Sequence, residues 1–172
     1  MQKELEKTVP EQAYEIGRNY FKQGLNCTEC VMRSFMDLKD IGYNDDIIAL
    51  ATGFGGGMGH TKNTCGAITG AVMALSSVVG RKNPLALESV GERIRELDDI
   101  YAVVGRMVEE IEAEYGTLIC KELSDPMGDF EGRTRKKGCM SIIGYCSQIA
   151  MKYALAVEGA EKMEGADATE AE

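Results

Sequence analysis

The sequence predicts an all-α fold, a single-domain helical bundle of about five to six helices with a Gly-rich loop ahead of a buried central helix. Three observations carry this expectation. Helix-start signals recur along the chain, at Pro10, Asn26, Asn44, Asn63-Thr64 and Asn83-Pro84. No stretch alternates apolar and polar residues as a strand with one wet face does, and no internal repeat is present. Residues 65–79 are apolar nearly all round, which suits a helix enclosed by other helices.

Taken in order, the first helix spans 10–23, with Pro10 at a position that needs no N–H and Gly24 as the stop. Asn26-Cys27-Thr28-Glu29 reads as a capping box, with Asn26 as N-cap and Glu29 three residues on. This places Cys27 at the first position of a helix running to about Asp40. A shorter helix fits 44–52, with Asn44 as cap and Asp45 and Asp46 in its first turn. The Gly-rich segment 53–60 follows, and the central helix opens at Cys65 behind Asn63 or Thr64. Its Gly66, Gly70 and Ala74 recur every four residues and form a smooth stripe for close helix packing. A long helix is expected from Asn83-Pro84 to Tyr115, stopped by Gly116. One or two turns follow around Cys120, then a polar loop over 124–138. A last helix runs from Cys139 to about Val157. The domain therefore covers 1–157, and 158–172 reads as a flexible acidic tail.

Composition narrows the function classes. The chain has 172 residues, enough for one domain with a real core, and a net charge of −9, which disfavours nucleic acid as a partner. There is no apolar run of membrane-spanning length. The first residues are charged rather than apolar, so a signal peptide is not expected and a cytoplasmic location is. In that compartment six cysteines point to metal or redox chemistry more than to structural disulfides. A lone His60 argues against a His-rich site.

Four cysteines, Cys27, Cys65, Cys120 and Cys139, fall where helices are expected to begin. Helix N-termini favour thiolate, the form that attacks, oxidises or binds metal. Four such sulfurs brought together would suit a [2Fe–2S] or [4Fe–4S] cluster or a tetrahedral zinc. These four are the candidate metal ligands, and the bland alternative is that they pack as small apolar groups. Cys27-Thr28-Glu29-Cys30 is formally a CxxC, so Cys27, Cys30 and Cys65 are also candidate redox-active thiols. Cys146 sits among Ile142, Ile143 and Ile149 and is expected to pack. The glycines do not form a GxGxxG or P-loop pattern, so no nucleotide is expected. Gly55, Gly56, Gly57, Met58 and Gly66 are instead candidate cofactor-binding positions, where backbone N–H groups approach a sulfur-bound centre. His60 reads as proton donor, ligand or plain loop residue. The basic run Arg133-Thr134-Arg135-Lys136-Lys137 would lower the Cys139 pKa or simply be solvated.

The order Asn26-Cys27, Gly53-Phe54-Gly55-Gly56-Gly57-Met58, Cys65-Gly66-Ala67-Ile68-Thr69-Gly70, Tyr115-Gly116-Thr117-Leu118-Ile119-Cys120 and a further Cys resembles the redox-active proteins named for the pattern C–GCAxxG–C–C, over roughly residues 12 to 155. The resemblance implies an all-helical domain whose four family cysteines map to Cys27, Cys65, Cys120 and Cys139, with Cys146 as rival for the last place. A similar domain occurs in split-Soret cytochromes, associated with an iron–sulfur centre. This chain has no CxxCH, so haem is not implied. Cys30 and Cys146 are additions to the pattern.

The expected function is a redox-active protein holding a cysteine-ligated iron–sulfur cluster for electron transfer or redox sensing. A metal-free thiol–disulfide oxidoreductase, or a structural module that binds zinc or packs its cysteines, are the alternatives. The expected partner is a redox protein, and pairing with a second copy is compatible with the sequence.

Overall fold

The computed structural model describes residues 7–129 and 131–169, the last nine by backbone alone. The fold is all-α. Helix α1 spans Val9–Lys22, α2 Cys27–Leu38, α3 Gly66–Val79, α4 Val90–Tyr115, α5 Cys120–Ser124 and α6 Arg133–Thr169. Two 3-10 segments, Asp45–Phe54 and Asp125–Met127, lie between them. Among the described residues the β-pairing is a single isolated bridge, Thr64 to Ile119.

Local signals account for most helix starts. Thr8 and Glu11 form a capping box ahead of α1, and Asn26 and Glu29 form another ahead of α2. The long helix α4 begins seven residues later than the Asn83-Pro84 signal suggests. Its cap is Ser89, boxed with Glu92, while Asn83 and Pro84 sit in the preceding turn. The competing Ser-x-x-Glu pattern wins because it satisfies N–H groups reciprocally, which Asn83-Pro84 does not. Gly116, at φ 76°, ends α4 in the left-handed region where glycine is strain-free. The expected helix over 44–52 is a 3-10 segment through Phe54, and Asn44 makes no side-chain cap bond.

Helix α3 is the centre of the bundle, as its all-round apolar character predicts. It packs against α2, α4 and α6. Ala67, Ile68, Ala71, Ala74 and Leu75 are buried, with Phe35 of α2, Met107 and Ile111 of α4, and Ile143 and Met151 of α6 around them. The small-residue stripe does what its spacing suggests. A Cβ on Gly70 would come within 2.9 Å of Val31 Cβ and 3.0 Å of the Thr28 carbonyl, so α2 lies directly against it. Ser34 Oγ donates to Ser147 Oγ at 3.0 Å, a buried polar link between α2 and α6.

Helix α6 differs from expectation at both ends. It starts at Arg133, within the stretch read as polar loop, and continues past Val157 to Thr169. The loop reading rested on Pro126 and on Gly128, Gly132 and Gly138, the last of which lies inside α6. In the fold Gly138 lies against the Met127 side chain, which fills the space a Cβ would need. Of the expected flexible tail, 158–169 is helical in backbone and 170–172 lie outside the described residues.

Candidate functional site

The N-terminal ends of α2, α3 and α5 converge at one end of the bundle. Three of the expected ligands ride on these ends. Cys27 is the first residue of α2, held there by Asn26, whose side-chain oxygen accepts from the Thr28 and Glu29 N–H groups at 3.0 Å each. The same cap ties α2 to the 3-10 segment, because Asn26 Nδ2 donates to the Thr52 carbonyl at 3.1 Å and Thr52 Oγ1 donates to Glu29 at 2.7 Å.

Cys65 is itself the N-cap of α3; the expected caps, Asn63 and Thr64, lie two and one residues outside. Thr64 is instead spent on the bridge to Ile119, flanked by Cys65 N–H to the Leu118 carbonyl at 2.9 Å and Cys120 N–H to the Asn63 carbonyl at 2.7 Å. These bonds lock the start of α5 beside the start of α3 and so set Cys65 next to Cys120. Cys120 is the first residue of α5, as expected. Cys139 departs from the pattern. It is the seventh residue of α6, two turns in rather than at the start.

The four sulfurs nevertheless share a place. Cys27, Cys65, Cys120 and Cys139 all line one cavity of about 310 Å³. Phe21, Ala67, Ile142 and Ile143 supply its apolar wall, and Asn26, His60, Glu131, Arg135 and Lys136 its polar rim. Cys27 and Cys139 are partly exposed, whereas Cys65 and Cys120 are buried. All six cysteines are free thiols. No group of three Cys, His, Asp or Glu among the described residues is close enough to hold a single metal ion.

Cys30 and Cys146 do not reach the cavity. Both are fully buried in the core, and Cys30 Sγ makes a 3.5 Å contact to the Leu25 carbonyl. The CxxC pair is therefore split between the cavity and the core.

Glycines make room for the sulfurs. A Cβ on Gly66 would collide with Cys27 Sγ and come within 2.7 Å of Thr28 Oγ1 and 2.8 Å of the Phe54 carbonyl. A Cβ on Gly57 would meet Cys120 Cβ at 2.8 Å. Between them runs an unusual left-handed turn. Gly56, Gly57, Met58, Gly59 and His60 all have positive φ, from 61° to 74°, and Lys62 follows at 60°. Three of these are not glycine, and each holds a backbone conformation that costs about 1–2 kcal/mol. The turn is closed by its own bonds, Gly59 N–H to the Gly53 carbonyl at 2.8 Å, Lys62 N–H to Gly56 and Asn63 N–H to Gly57 at 3.1 Å each. Of the candidate cofactor-binding positions, Gly56 lines the cavity. The Gly55 and Met58 N–H groups are bonded inside the turn, and the Met58 side chain is exposed. No signal in the sequence marks this handedness beyond the density of glycine.

Cys65, Cys120 and Cys139 are not acidified, contrary to the helix-start expectation. Burial pushes the Cys65 thiol up to about 12, although the Ala67 and Ile68 N–H groups face its sulfur and favour the charged form. Burial likewise raises Cys120 and Cys139. Arg135 opposes this at both sulfurs and donates to Cys139 Sγ at 3.5 Å, but its charge does not outweigh the loss of solvent. The α3 N–H groups and the arginine both favour negative sulfur, against the burial that opposes it.

No curated protein and no solved structure matched the chain in comparison searches. Residues 25–153 match the family described as "Putative redox-active protein (C_GCAxxG_C_C)". No described helix is long and apolar enough to cross a membrane. Over that span, most of its length, the protein belongs to the C_GCAxxG_C_C family of redox-active proteins.

Proposed function

We propose that this redox-active protein carries a cysteine-ligated iron–sulfur cluster in the cavity and uses it for electron transfer or redox sensing. The observation that carries the reading is that four thiols from four different helices line one cavity of about 310 Å³. The donor set is all soft sulfur, the chemistry of a cluster site. The same sulfur set would also suit a tetrahedral zinc, and iron and sulfide analysis distinguishes the two.

The chain's own groups would each have a part. Cys27, Cys65, Cys120 and Cys139 would hold the centre. The α3 N–H groups facing Cys65 and the Arg135 guanidinium would offset its negative charge. The apolar wall of Phe21, Ile142 and Ile143 would limit water. The cluster, when bound, supplies the one-electron chemistry.

Burial weighs against the metal-free thiol–disulfide alternative. Protonated thiols are poor nucleophiles, and the second sulfur of the CxxC lies in the core. Anaerobic purification tests the reading directly. Brown protein with iron and acid-labile sulfide in matching amounts, and a visible absorption that bleaches on reduction, is the expected result. Colourless protein with no iron after reconstitution with iron and sulfide under strict anaerobiosis would end it.

A further inference from the structure

The chain carries 28 acidic and 19 basic residues, yet one end of the molecule reverses that balance. From Gly132 to Val157, which includes most of α6, there is no Asp or Glu, while Arg133, Arg135, Lys136 and Lys137 crowd its first two turns. Cations at a helix start oppose the helix dipole. The starts of α1, α2 and α4 obey the rule, each with a Glu in its capping box. Helix stability therefore does not explain the basic start of α6.

Position does. Arg135 and Lys136 stand on the rim of the sulfur cavity. Lys136, Arg133 and Lys137 also border an adjoining depression with Lys22 of α1, and Phe21 is common to both hollows. Lys62 lies near enough to Cys120 to favour its charged form. Among the acidic groups at this end, Glu131 lies 3.5 Å from Lys136 and Asp125 lies 3.2 Å from Lys62. Those pairs are exposed, so solvent screens them and they leave the local excess of Lys and Arg in place.

We propose that this basic rim is a docking surface for an acidic redox protein, which it steers to the mouth of the sulfur cavity. The electron step rests on the redox reading above: one electron passes between the two centres and no bond is made or broken. The steering does not rest on it. The shape of the charge favours a compact protein over nucleic acid, because a long polyanion would run from the rim onto a surface that is acidic overall. A partner with one acidic patch meets the rim alone.

The test uses the whole chain, metal-free and reduced, so that it is independent of the cluster. Cys139 and Cys27 are partly exposed. Each is modified by methanethiosulfonates bearing either an anionic sulfonate or a cationic trimethylammonium group. The cysteine sulfur bonds to the reagent's sulfur and methanesulfinate leaves. The anion-to-cation rate ratio, divided by the same ratio on a small free thiol, cancels access and ionisation and reports the local field. The expected ratio favours the anion by about tenfold at low salt and falls toward unity at about 1 M salt. The double variant Lys136→Glu/Lys137→Glu inverts it. That variant suits the helix dipole, and Lys136→Gln/Lys137→Gln provides a milder second case in which the ratio falls without inverting. A ratio favouring the cation, which the net charge of −9 alone dictates, would overturn the proposal. So would indifference to salt and to both variants. Poly-glutamate, used as an acidic-surface probe, is expected to slow Cys139 modification by neutral N-ethylmaleimide. Protection by duplex DNA but not by poly-glutamate would overturn the choice of partner. Absence of iron would sink the cluster and leave this field measurement standing.

Discussion

Two helices each carry one cysteine of the cavity and one of the core, and the contrast separates chemistry from packing. In α2 these are Cys27 and Cys30, in α6 Cys139 and Cys146. Residue type, helix and neighbourhood in sequence are shared. What differs is depth. Cys30 lies about one turn and Cys146 about two turns further into the bundle than its partner. At the open end, sulfur meets glycine, helix N–H groups and Arg135. Deeper in, both sulfurs are fully buried in the core, and Cys30 Sγ is spent on the Leu25 carbonyl. Cys65 sharpens the lesson. It occupies an N-cap, a place where Ser, Asn or Asp would bond the helix and where Cys makes no cap bond. On the proposed reading, the sulfur at this position serves the cavity rather than the helix.

The largest predicted effect is a crossed pair of substitutions. Cys65→Ser is expected to lose most of the bound iron while the metal-free protein keeps or gains stability, by up to about 1 kcal/mol, because Ser caps α3. Cys146→Ser is expected to keep its iron but to lose about 1–3 kcal/mol, because a hydroxyl replaces sulfur in a fully buried apolar site. Iron content and denaturant midpoints measure both. Iron loss in the Cys146 variant with retention in the Cys65 variant would break the division.

Much of this division is legible in the sequence, for identifiable reasons. Asn26 and Glu29 are a short-range signal, and they place Cys27 at the residue where the structure has it. The apolar neighbours of Cys146 likewise announce packing. What sequence could not supply is whatever depends on remote partners. The start of α6 was hidden because its cations oppose the dipole, so that it looks like no helix start at all. The left-handed turn needs Met58, His60 and Lys62 in conformations that only the surrounding bonds enforce. The thiol pKa values went astray for the same reason: a helix end is visible in sequence, and burial is not.

Gly66→Ala probes the floor of the cavity without touching a sulfur. The added methyl would press on Cys27 Sγ, Thr28 Oγ1 and the Phe54 carbonyl together. Relief by moving Cys27 alone is insufficient, because the carbonyl is backbone. A loss of about 1–3 kcal/mol is expected, with weaker iron retention. Gly105→Ala, on α4 with no neighbour near its Cβ, is expected to stabilise by about 0.5–1 kcal/mol. Thermal melts of the two variants compare them.

High pH separates core thiols from their unfolded counterparts. Burial holds the Cys146 pKa well above the ordinary 9.0. Its proton is therefore bound more tightly in the folded state. The resulting stability is complete below about pH 9 and is lost as pH rises from there through the folded value. Each unit above the unfolded pKa costs about 1.4 kcal/mol for this thiol. Metal-free protein is expected to melt progressively lower from pH 9 upward, and Cys146→Ala to show a shallower decline. Parallel declines in the two proteins would mean that Cys146 is not the buried titrating group described here.

The smallest effect isolates the cap that aims Cys27. Asn26 bonds two N–H groups of α2 and the Thr52 carbonyl, whereas Asn44, at the start of the 3-10 segment, makes no cap bond. Asn26→Ala is expected to cost about 1 kcal/mol, and Asn44→Ala a few tenths. The two variants have the same chemistry removed, so their difference measures the cap rather than asparagine itself. If the cap also aims the sulfur, Asn26→Ala at matched stability will shift the visible spectrum of the iron-loaded protein, and Asn44→Ala will not. Equal melting temperatures for the two would show that α2 holds Cys27 by packing on Gly66 and Gly70 alone.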